Sequence, residues 1–195
     1  MIGALVAFNP ETHRMGGDTL LFGVTVPASP PPSDFSAIEE LDLASHFLEA
    51  GRGPGIARLL RFIVWRARKG RGPGINPALE NALVSRLSRA ATLVRDALRP
   101  IAATRRPNLS PDSIFGAELE GLSPEDRELE VARRFVRFAN AMSRAAMAAG
   151  ATAAPDAAAL RAERLTANRL APGLARVLAA QTTGSGAVGA MPRVS

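Results

Sequence analysis

A chain of 195 residues is long enough for one compact domain with appendages, and with 47 % hydrophobic but only 5 % aromatic residues its core must be built mainly from Leu, Val, Ile and Ala. The chain has no Cys, which excludes disulfides, thiol nucleophiles, zinc knuckles and iron–sulfur clusters and fits a reducing compartment. The net charge of +6 is concentrated, with thirteen basic residues against two acidic ones between Gly51 and Arg106.

The N-terminal stretch MIGALVAFNPET is apolar but lacks a basic n-region and a small-residue cleavage pattern. No signal peptide is read from it. No apolar run approaches the length of a membrane span, so no transmembrane segment is expected and the expected location is cytoplasmic. Ile2–Phe8 and Thr19–Val26 read as two strands of a β-hairpin, joined by the turn formers of NPETHRMGGD. In the second strand Leu20, Phe22, Val24 and Val26 alternate with the residues between them. An isolated hairpin is marginal in water, so these four residues are the expected interface with another protein or a second copy. PASPPPS then acts as a stiff linker.

A helix is expected from Ser36, which forms an S-x-x-E capping box with Glu39. Its predicted apolar face is Ile38, Leu41, Ala44, Phe47 and Leu48. The hexapeptide GRGPGI follows at Gly51 and recurs at Gly70. The first copy closes one helix at Gly51 and opens the next near Pro54; the second closes that helix and leads to Asn76-Pro77, an N-cap with Pro at N1. The copies read as one hinge used twice, which would make Ile56–Lys69 a separately movable element latched by weak ion pairs.

That element, IARLLRFIVWRARK, places Ile56, Leu59, Leu60, Ile63 and Ala67 on one face. Arg58, Arg61, Trp65 and Arg68 fall on another, with Arg66 and Lys69 beside them. A long helix follows at about Pro77–Ala103, with Leu83, Leu87, Ala90, Val94, Leu98 and Ile101 at helical period. Arg58, Arg61, Trp65, Arg66, Arg68, Lys69, Arg71, Arg86 and Arg89 together form the expected partner- or anion-binding surface. Arg forks suit carboxylate and phosphate.

SPDS at Ser110 and SPED at Ser123 are two further N-cap-plus-Pro starts. The first opens a short helix with Ile114, Phe115 and Leu119. The second opens a helix to about Ala149 whose face is Val131, Phe135, Phe138, Met142 and Ala145. Helices at about Pro155–Leu170 and Leu174–Ala180 complete the ordered part. QTTGSGAVGAMPRVS reads as a flexible tail. The expected fold is mainly α: a helical bundle over residues 34–181, preceded by a β-hairpin and linker over 1–33 and followed by a flexible tail over 182–195.

The span ELEGLSPEDRELEVARRFVRFANAMSRAAM, Glu118–Met147, resembles a segment of uncharacterised bacterial proteins in which an Arg/Ala/Gly-rich region precedes a similar capped helix. The resemblance implies a bacterial origin and a role in secreted or phage-tail-like assemblies. It carries over no site residues.

Catalytic signals are weak. Gly184, Gly186 and Gly189 spell G-x-G-x-x-G, but the strand, helix and acidic residue a dinucleotide site needs are missing around it. Asp42 and His46 are an i,i+4 pair with no second His nearby. A Ser–His–Asp triad has only His13 and His46 to draw on, and no nucleophile elbow accompanies them. No catalytic, cofactor or metal residues are assigned. The expected function is a non-enzymatic binding or assembly protein. The alternatives are a basic nucleic-acid-associated protein and a peripheral membrane-surface protein.

Overall fold

The computed structural model describes residues 35–50, 53–69, 76–99, 110–116, 119, 121–149 and 153–184. The predicted hairpin with Leu20, Phe22, Val24 and Val26, the linker, Arg71 and residues 185–195 lie outside the described residues. Among those described there are seven helices and no strand. They are α1 (Ala37–Glu49), α2 (Pro54–Arg68), α3 (Pro77–Leu98), α4 (Pro111–Phe115), α5 (Pro124–Ala149), α6 (Pro155–Leu170) and α7 (Pro172–Gly184).

Every helix but α1 begins on proline. Pro suits this position because its missing N–H is one the first turn leaves unpaired anyway. Side-chain caps complete several starts. The Ser36 hydroxyl accepts from the Glu39 N–H at 3.2 Å while the Glu39 carboxylate accepts from the Ser36 N–H at 2.9 Å. Ser110 and Ser113 form the same reciprocal box, and the Ser123 hydroxyl accepts from the Asp126 N–H. Helix α3 ends at Leu98, short of the expected Ala103, with Arg99 extended as its C-cap. Pro100 follows Arg99, and a residue before proline is driven out of the α region. Helix α7 is longer than expected: it begins at Pro172 and takes in Thr182–Gly184, assigned from sequence to the tail.

Helix α5 is the spine. It packs against α1, α2, α3 and α6; α6 packs in turn on α3 and α7, and α7 on α4. Phe47 of α1 meets Phe135 of α5 with ring centroids 4.5 Å apart, and Phe138 lies 6.3 Å from Phe135. All three rings are fully buried, as are Leu60, Ile63, Leu83, Leu87 and Met142. At α7, Gly173 lies so close to the backbone of Ser113 and Ile114 in α4 that no side chain fits between them.

Two expectations are corrected. Ile38 and Leu41 do not face the core: Ile38 is 80 % and Leu41 44 % exposed. The buried face of α1 is Glu40, Leu43, Ala44 and Phe47. Glu40 turns inward because α5 supplies two guanidiniums, with Arg133 Nε at 3.1 Å and Arg137 Nε at 2.8 Å from its two carboxylate oxygens. Nor is α2 held only by a weak ionic latch. Leu60, Ile63 and Val64 are fully buried, so its apolar stripe is part of the core.

Candidate interaction surface

With its apolar stripe turned inward, α2 presents the opposite face to solvent. Arg58, Arg61, Phe62, Trp65, Arg68 and Lys69 recur at three- and four-residue steps, the spacing that stacks side chains on one helix face. Phe62 is 46 % and Trp65 53 % exposed, and their rings lie 5.7 Å apart. Arg58, Arg61 and Lys69 are exposed and Arg68 is half-buried. The side chains of these four make no ion pair among the described residues. Helix α2 contains no Asp or Glu.

The structure divides the basic set expected from sequence. Arg66 points to α1 rather than to solvent, with Nη2 2.9 Å from Glu39 Oε1. Arg86 turns to α6, where its Nη1 is 2.7 Å from Oε2 of the buried Glu163. Arg89 stands at the rim of a groove of about 410 Å³ that Glu163, Arg164 and Asn168 also line. Arg86 and Arg89 therefore belong to the α3–α6 side and do not join the α2 face. Four cations and two aromatics remain as one continuous surface.

Arg95 was not singled out by sequence. It reaches from α3 to the end of α1, donating to the carbonyls of Phe47, Leu48 and Ala50, with its guanidinium over the Phe47 ring. It satisfies carbonyls that a helix C-terminus leaves unpaired. Its sequence position, one more Arg at helical spacing, gives no sign of this.

The Ser36 backbone N–H, and after it the Arg66 guanidinium, hold the Glu39 carboxyl down to about 2 from its ordinary 4.5. A depressed carboxylate stabilises the fold fully above its unfolded value, and that contribution fades as the pH falls from about 4.5 to about 2. An NMR titration of the Glu39 side chain is expected to give a midpoint near the lower figure. A midpoint near 4.5 would mean that neither contact holds in solution.

Chemistry elsewhere is sparse. His46 Nδ1 lies 2.9 Å from the Asp42 carbonyl oxygen and 3.6 Å from its carboxylate. No group of three potential metal ligands occurs among the described residues. Gly184 is the last residue of α7, so a helix stands where a dinucleotide fingerprint requires a strand. No helix among the described residues is long and apolar enough to cross a membrane. The chain matches no protein-family model, no curated protein and no solved structure.

Proposed function

We propose that the protein is a non-enzymatic binding protein, a component or accessory of a bacterial macromolecular assembly, that engages its partner through the outer face of α2. One observation carries this reading: Trp65 and Phe62 stand half-exposed amid Arg58, Arg61, Arg68 and Lys69, none of them neutralised within the described part of the chain. Trp and Arg are the residues that most often dominate binding energy at protein interfaces. Solvating two aromatic rings on a monomer has no structural benefit, whereas covering them against an acidic partner does. The predicted hairpin is the second contact in this reading, and the resemblance at Glu118–Met147 supports an assembly role.

The absence of any acid from α2 also favours a second reading, nucleic acid, in which the cations neutralise phosphates and the aromatic pair stacks on bases. A membrane surface is less well supported, because the apolar stripe of α2 is already used in the core and leaves only Phe62 and Trp65 to insert.

The test is the double variant Arg58→Glu, Arg61→Glu, with Arg89→Glu as a control off the face. The α2 variant is expected to lose the native partner in copurification while the control retains it. Equal recovery by both would overturn the reading. A labelled single-stranded oligonucleotide titrated at 50 and 200 mM salt decides the alternative, since phosphate binding weakens steeply over that range.

A further inference from the structure

The outer face of α2 does not stand alone. Helix α1 lies beside it on α5, and the two are joined by the Arg66–Glu39 pair. Each turns its buried face to α5, so their outer faces point the same way. On α1 that face carries Ile38, Leu41, Asp42 and Glu49, all exposed. Helix α1 contains no Lys or Arg, and α2 no Asp or Glu. Of the six large apolar side chains left exposed among the described residues, four lie on this two-helix layer: Ile38 and Leu41 on α1, Phe62 and Trp65 on α2. One surface thus holds an acidic apolar strip next to a basic aromatic strip.

From this we infer that the partner is a second copy of this chain, docked by a two-fold axis that lies in the interface parallel to the two helices. The inference rests on α2 being the binding face. Such an axis sets α1 of each copy on α2 of the other, a self-complementary contact made twice. The alternative two-fold, across the helices, would set acid on acid and base on base.

Heights along the layer follow from the pair at Glu39 and Arg66, since α1 and α2 run antiparallel and each residue rises about 1.5 Å. By that count Ile38 and Leu41 come within about 3 Å of the height of Trp65, Asp42 within about 3 Å of Phe62 and Arg61, and Glu49 within about 3 Å of Arg58. The two-fold keeps these levels, so apolar meets aromatic at one end and carboxylate meets guanidinium along the rest.

A phosphate backbone or an anionic lipid surface fits this layer less well. Either would satisfy α2, but Asp42 and Glu49 would repel it and Ile38 would stay in water. A second copy covers both strips. Helices of this length are about 20 Å long and pack about 10 Å apart, giving a patch of roughly 20 Å by 20 Å. That is at the small end of stable interfaces, so the dimer is expected to dissociate in the micromolar range.

Sedimentation of the full chain from about 1 to 500 μM should show a monomer–dimer equilibrium, weakened by added salt, with Trp65 fluorescence shifting to the blue as the dimer forms. Asp42→Arg with Glu49→Arg, and separately Arg58→Glu with Arg61→Glu, should each give a monomer with unchanged helical circular dichroism. Mixing the two variants should restore a dimer, because both contacts are then of opposite charge. A wild-type monomer throughout this range, a dimer that survives either reversal, or a mixture that stays monomeric would each overturn the inference. A wild-type monomer whose α2 reversal still loses a different partner would reject the second copy and keep the α2 reading. Loss of nothing on α2 reversal would reject both.

Discussion

Glu40→Ala is expected to cost the fold about 3–5 kcal/mol, the range for removing one partner of a buried ion pair. Glu40 is 3 % exposed and its carboxylate takes Arg133 Nε at 3.1 Å, Arg137 Nε at 2.8 Å and Arg137 Nη2 at 2.7 Å. It reaches from α1 to the guanidiniums of Arg133 and Arg137 on α5, and this bond keeps the Arg137 guanidinium above its usual proton affinity. Truncation leaves Arg137 at the edge of an apolar layer without its partner. Arg133 keeps Glu130 at 3.4 Å, which places the expected loss toward the lower end. The combined change Glu40→Leu, Arg133→Met, Arg137→Met should recover most of the stability, since replacing a whole buried ionic cluster by apolar residues is often neutral or better. Urea unfolding followed by circular dichroism measures both. A loss under about 1 kcal/mol for Glu40→Ala would place the network among exposed pairs of little net worth.

Gly173→Ala is the second large effect. A Cβ there would lie 1.8 Å from the Ser113 carbonyl oxygen, 2.7 Å from its carbon and 2.9 Å from the Ile114 Cα. These are backbone atoms of α4, anchored by the fully buried Ile114 and by Phe115, so no side-chain rotation relieves the clash. Either α7 lifts off α4, drawing the fully buried Leu174 with it, or α4 unseats. Overpacking costs about 1–3 kcal/mol, occasionally more, and a backbone collision belongs at the top of that range. At about 2–4 °C per kcal/mol for a domain of this size, the melting temperature should fall by at least about 6 °C. Gly55→Ala is the matched control. Its nearest neighbour would be the Ala50 Cβ at 3.6 Å, an ordinary contact, so the change should be neutral or slightly stabilising. Equal melting of the two variants would show that α4 and α7 do not pack this closely.

The helix starts were legible because proline and the Ser and Asn caps act locally, and five of the six prolines at helix starts could be read one at a time; Pro172 was passed over, and α7 begins there rather than at Leu174. The phase of α1 was legible only in part, since Ala44 and Phe47 are buried as expected while Ile38 and Leu41 are not. Ile38 and Leu41 fit an apolar stripe, and a carboxylate such as Glu40 has no place on one. Only the guanidiniums 93 and 97 residues further on make its burial tolerable. Nothing near Glu40 in the sequence announces them. The basic surface was legible on α2, where one helix fixes which side chains share a face. It failed where two helices had to be combined: Arg86 and Arg89 are near α2 in sequence, yet α3 turns them toward α6. The same limit hid the pairing of an acidic α1 with a basic α2, which appears only once both lie on α5.

The central place of α5 has a consequence for the order of synthesis. Ninety-three residues separate Glu40 from Arg133, and ribosomes add about 5–20 residues per second, so α1 waits roughly 5–20 s for its partner helix. During that interval Phe47, Leu60 and Ile63 have left the ribosome with no spine to cover them. Helices α1 to α3 are therefore the segment a nascent-chain chaperone would hold, and its release would coincide with the emergence of α5.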